Sequence, residues 1–159
     1  MAQGPELIVT QSILDRLIDD EPGVRLDSPA TRASSFRQFK TGVRRDLEWL
    51  LNTRQIPDPA PREYKELFHS LYNYGLPDIT SISKQSVSEQ RRLLQALEQA
   101  LMAYEPRILN VNVSLDSSSQ NLRVLRFRIE GMLRVDPSPE HVSFDTVLDV
   151  PTGEYEVKS

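Results

Sequence analysis

The spacing of apolar residues changes once along this chain, near Pro106, and that change constrains the fold more than any other feature. Before it, apolar residues recur at helical spacing. Ser12 is placed to cap a short helix in which Ile13, Leu14, Leu17 and Ile18 share a face. Phe36, Phe39, Val43, Leu47 and Leu50 form one stripe of a helix expected over about 35–53. Trp49 points away from that stripe and is expected to pack on a second element, the other option being contact with a partner. Ser86 and Glu89 have capping-box spacing, and Leu93, Leu94, Leu97, Ala100, Leu101 and Tyr104 follow on one face. That helix must stop at Glu105, because Pro106 disfavours α geometry in the residue before it.

Beyond Pro106 the period is two. Leu109, Val111, Val113 and Leu115 alternate with polar residues, as do Leu125, Phe127, Ile129, Leu133 and Val135, and then Val142, Phe144, Leu148 and Val150. Polar turns are expected at 116–121 and 136–139. Alternation means one buried and one wet face. The fold expected is α+β, with N-terminal helices packed on one face of a C-terminal three-stranded antiparallel meander. Residues 154–157 are a candidate short final strand. Residues 1–11 read as a flexible arm and 22–33 as a polar loop. Residues 12–159 read as a single domain, helical through 105 and β over 107–157.

Between the two long helices, prolines at 57, 59 and 61 call for an extended connector, and 63–71 for one or two helical turns. Residues 72–78 read as a turn, with Gly75 suited to positive φ.

The chemistry available is narrow. The 159 residues contain no Cys and two His, which removes disulfides and thiolate sites and makes a His-based metal centre unexpected. No cofactor or metal is expected. Net charge of −4 is too mild for a nucleic-acid footprint. Arg supplies most of the 19 basic residues, which suits protein interfaces as well as codon bias. No apolar run could span a membrane and the N-terminus lacks signal-peptide character, so a cytoplasmic protein is expected. Glu105 could serve as one acid of a glycosidase pair, but no second carboxylate stands out. Neither His sits in a nucleophile elbow, and there is no phosphate-cradling glycine loop.

Three short segments remain: Asn52 to Arg54 at a helix end, Asn73 to Asp78 in the turn, and Glu105-Pro106-Arg107 at the helix-to-strand junction. Each alone has a structural explanation. For the last it is a helix stop with a local ion pair, worth little if exposed. Their order is more informative. Leu14-Asp15-Arg16-Leu17, Asn52-Thr53-Arg54, Asn73-Tyr74-Gly75-Leu76-Pro77-Asp78 and Tyr104-Glu105-Pro106-Arg107-Ile108 together resemble the TssE family of type VI secretion baseplate subunits. That family is similar to a baseplate wedge protein of contractile-tailed phages, and the likeness runs over about 14–150.

The resemblance implies a structural subunit rather than an enzyme, docked at the membrane through the assembled baseplate. It implies TssF and TssG as wedge partners, contact with the sheath proteins TssB and TssC, and TssK as a further candidate. It makes Glu105, Pro106, Arg107, Asn52, Arg54, Asn73, Gly75, Pro77 and Asp78 candidate partner-binding residues. The family's occasional "lysozyme-like" label implies the competing activity, peptidoglycan hydrolysis. An open sheet edge would offer unpaired N–H and C=O groups to a strand from the sheath.

Overall fold

In a computed structural model, residues 8–18, 23, 31–61, 63–78, 86–116 and 123–158 are described. Four helices precede four strands: α1 (Ile13–Leu17), α2 (Arg32–Asn52), α3 (Lys65–Phe68), α4 (Val87–Tyr104), β1 (Ile108–Asp116), β2 (Val124–Leu133), β3 (Glu140–Asp149) and β4 (Glu154–Lys158). The strands form one antiparallel sheet in the order β1-β2-β3-β4. The α+β expectation holds, but the meander has four strands rather than three. The fourth shows the same alternation, Tyr155 and Val157 being buried between exposed neighbours. It is the candidate final strand at 154–157, one residue longer, and its five residues are too few to weigh as heavily as the longer runs.

The core lies between α2, α4 and the inner sheet face. Val43, Leu47, Leu50 and Leu51 of α2 and Leu93, Leu97 and Leu101 of α4 meet Phe127, Ile129, Leu133, Phe144 and Val157. The expected stripes of α2 and α4 and the alternation of β2 and β3 are therefore the buried surfaces, whereas of Leu109, Val111, Val113 and Leu115 only Val113 is fully buried, because a register shift between Leu109 and Asn112 turns Ile108 inward instead. α2 starts at Arg32, before the expected 35, because Thr31 and Ser34 cap it reciprocally. A Thr-x-x-Ser box is a fainter signal than one closed by Glu or Gln. Ser86 Oγ accepts from Glu89 N and starts α4, which ends at Glu105 as Pro106 requires. A 3-10 turn over Leu71–Asn73 follows α3. The prolines at 57, 59 and 61 lie in non-helical chain, as expected.

Two expectations about exposure change. Trp49 is 54% exposed. Its ring carries the Arg45 guanidinium, 4.9 Å from the centroid, in place of a second element. α1 forms behind Ser12 but buries none of its residues. Of the arm expected at 1–11, residues 1–7 lie outside the described residues, while Val9 is buried and its N–H donates to Ser35 Oγ. The turn expected at 116–121 lies almost wholly outside the described residues, as does most of the 22–33 loop.

Candidate functional site

The tripeptide Glu105-Pro106-Arg107 makes the corner between α4 and β1. Glu105 N closes the last helical turn on Leu101 O at 2.9 Å, Ile108 N returns to Glu105 O at 3.1 Å, and Arg134 N of the neighbouring strand donates to Arg107 O at 2.8 Å. The Glu105 side chain turns inward, 5% exposed, and both its oxygens accept from Arg107, Nε on Oε1 and Nη2 on Oε2, each at 2.5 Å. Arg107 Nη2 also reaches Asp46 Oδ2 of α2 at 2.7 Å. Asp46 Oδ1 accepts from Arg45, and Arg45 pairs with Asp15 of α1 at 2.8 Å. The local ion pair expected at this helix stop forms, with Glu105 buried rather than exposed. The charges are largely withdrawn from water and form a chain linking α4, α2 and α1.

The electrostatics follow. Burial pulls the Arg107 pKa down, but hydrogen bonds and charge from Glu105 and Asp46 outweigh it, and the net shift is upward. Burial raises Asp15, yet Ser12 and Arg45 together hold its carboxyl below the usual range. Gly42 makes this approach possible, since a Cβ there would lie 3.0 Å from Asp15 Oδ2.

The turn over 73–78 is also built into α2. Asn73 is 2% exposed. Its Oδ1 accepts from Ala60 N at 2.8 Å, and its Nδ2 donates to Phe68 O at 3.1 Å. Gly75 has φ +109°, and a Cβ there would strike Thr53 O at 2.5 Å. The closeness is used: Leu76 N donates to Thr53 O and Gln55 N to Leu76 O, both at 2.8 Å. Tyr74 packs edge-on against Tyr104, next to Glu105. Its pKa is raised by burial and then by the carboxylates of Asp46 and Glu105, so this turn also borders the charged chain.

Asn52 and Arg54 face the other way. Asn52 Oδ1 accepts from Tyr155 N at 2.8 Å and Nδ2 donates to Tyr155 O at 2.9 Å, while Arg54 Nη2 donates to Gly153 O at 3.2 Å. All three segments thus meet α2 or the residues just after it, the corner at Asp46 and the other two at the C-terminal end. Glu105, Asn73 and Gly75 are buried, Arg107 is half-buried, and Asn52, Arg54, Pro77, Asp78 and Pro106 are exposed.

The arrangement does not suit acid catalysis. A general acid must present its proton to substrate. Glu105 is buried and both its oxygens are held by one guanidinium. Among the described residues, no cluster of His, Asp and Glu could hold a metal ion. An open groove beside β4, lined by Asn52, Arg54, Asp149 and Glu154 among others, is shallow and polar. Among the described residues, no helix is long and apolar enough to cross a membrane.

The family model for baseplate wedge protein gp25 matches residues 37–138, which carry all three segments. The chain belongs to the baseplate wedge protein gp25 family. A chain in a solved structure described as the baseplate complex from the type VI secretion system is 24% identical to this one. It matches with a TM-score of 0.48 over 70% of this chain and 94% of that one. No curated protein matches. Within the gp25 family frame, the sequence singled out Glu105 and Arg107 but not Asp46, Arg45 or Asp15, which complete their network. Leu14-Asp15-Arg16-Leu17 was noticed only as part of a family pattern. The signal available for Asp15 was an acid three residues after a capping Ser.

Proposed function

We propose that this chain is the TssE-type wedge subunit of a type VI secretion baseplate, binding TssF and TssG and meeting the sheath proteins TssB and TssC, with TssK a further contact. It acts as a shaped, non-enzymatic adaptor in the cytoplasm, held at the membrane through the assembled baseplate. One observation carries the reading: the family match covers the 73–78 turn and the Glu105-Pro106-Arg107 corner, and both are locked rigidly to α2.

Buried Glu105, Asn73 and Gly75 hold the shape. Pro106, Pro77, Asp78 and the outer side of Arg107 are presented to the wedge partners, with Asn52 and Arg54 beside the 73–78 turn. Such preorganisation lowers the ordering cost of binding. Strand addition at the sheet edge supplies the sheath contact. The test is co-purification of the chain with co-expressed TssF and TssG. Pro106→Glu and Asp78→Lys, both at exposed positions, should reduce recovery while each variant still melts cooperatively. Full recovery of both variants, or no recovery of the wild type, would count against the reading.

A further inference from the structure

Helix α1 buries none of its residues, yet it delivers one carboxylate to a nearly closed place. The Asp15 side chain is 9% exposed, against 5% for Glu105 at the other end of the charged chain. The local sequence builds this. Ser12 Oγ accepts from Asp15 N at 3.1 Å and donates to Asp15 Oδ2 at 2.6 Å, so one side chain starts the helix and orients its acid. Gly42 leaves the room on α2. By contrast, Ile13 and Leu17 stand 76% and 77% exposed. The charge of Asp15, rather than packing, therefore holds α1 to α2.

The chain it joins alternates in sign: Glu105, Arg107, Asp46, Arg45, Asp15. Each guanidinium is divided between two acids through a single nitrogen. Arg107 Nη2 meets Glu105 Oε2 and Asp46 Oδ2, while Arg45 Nη2 meets Asp46 Oδ1 at 2.7 Å and Asp15 Oδ1 at 2.8 Å. Asp46 thus keeps one oxygen for each arginine. The Trp49 ring carries the Arg45 guanidinium from one side, which narrows the positions open to it. Without the Asp15 charge, Arg45 has one acid left. Its released N–H then turns to Asp46 Oδ2, where Arg107 is held, and Arg107 loses one of its two anchors. The two ends already sense each other. Against the burial that raises it, the Asp15 pKa is held down by Ser12, by Arg45 and, across the chain, by the charge of Arg107.

We infer that Asp15 is a positioning residue for partner binding. Seated α1 fixes Arg45, Arg45 leaves Asp46 Oδ2 to Arg107, and Arg107 is held in the orientation that the wedge partners meet. The inference rests on the function proposed above, in which Arg107 belongs to the docking surface. α1 itself touches no partner in this scheme. Such coupling is reciprocal, so a partner that selects the fixed corner also tightens the seat of α1.

The experiment measures the affinity of the full chain for the purified TssF–TssG complex. Asp15→Asn should weaken it about fivefold or more. The variant should still melt cooperatively, since α1 contributes no buried residue. In a chain carrying Arg107→Lys, which keeps a charge beside Glu105 but not the planar fork, Asp15→Asn should cost little further. Ile13→Ser combined with Leu17→Ser, on the exposed face, should leave the wild-type affinity. Hydrogen exchange at 12–17 should slow when the wild-type complex forms. Full affinity in Asp15→Asn, or unchanged exchange at 12–17, would overturn the inference and leave the proposed function standing. So would the same loss repeated in the Arg107→Lys background. A loss from the Ile13 and Leu17 changes as large as that from Asp15→Asn would also overturn it, because α1 would then be a contact in its own right. Failure of the wild type to bind would overturn the proposed function and this inference with it.

Discussion

Two polar clusters lie along α2, and they are built from different chemistry. At its middle, Asp46 joins Arg107 and Glu105 through charged groups mostly withdrawn from water. At its end, Asn52 and nearby Asn73 use neutral amides to satisfy backbone groups of Tyr155 and Ala60. The difference matters because a neutral cluster loses hydrogen bonds when broken, whereas a charged one leaves an uncompensated buried ion.

The comparison predicts an order of damage. Arg107→Ala should be the most destabilising single change, by about 3 kcal/mol in urea unfolding, because it strands Glu105 without a counter-ion. A loss under about 1 kcal/mol would mean that the corner behaves as an exposed pair. Asn73→Ala should come next, at about 2 kcal/mol, since Ala60 N–H is left unsatisfied in a buried place. A cost equal to that of Arg107→Ala would erase the distinction between the clusters. Asn52→Ala should cost about 1 kcal/mol, because water can reach the freed groups of β4. It should also unseal that edge, so concentration-dependent self-association by light scattering should rise above wild type. The smallest effect concerns acid. Asp15 has a folded-state pKa below its unfolded value, so its contribution is fully present above about pH 4 and is lost as pH falls through the folded value. Exchange protection at 9–18 should therefore fall first on acidification, and Asp15→Asn should show reduced protection already at neutral pH.

Much of the architecture was legible because burial writes itself as periodicity. The stripe Phe39, Val43, Leu47, Leu50 and the alternation of 125–133 and 142–148 are the core. The fourth strand was legible only as a candidate at 154–157, and α1 has an apolar face none of whose residues is buried. Its anchor is instead the charge of Asp15. The candidate site was legible as local motifs but not as pairings. Arg107 with Asp46 spans 61 residues, and Asn52 with Tyr155 spans 103. No period links such partners, since polar pairing depends on which surfaces the fold brings together. The inward turn of Glu105 was hidden for the same reason, and with it the strength of the corner. Trp49 misled because a large aromatic off the stripe reads as core, whereas a stacked guanidinium shields it here.

The central claim is that Glu105 is a buried counter-ion shaping a docking surface, not an acid that donates a proton to substrate. Glu105→Gln separates the two, because the amide keeps the shape but removes the charge facing Arg107. The deciding measurement is the affinity of this variant for the purified TssF–TssG complex, beside the wild type. The account predicts weakening of about tenfold, or about 1.4 kcal/mol, as the corner loses its fixed geometry. Full wild-type affinity, with a peptidoglycan-clearing activity present in the wild type and lost in the variant, would contradict it.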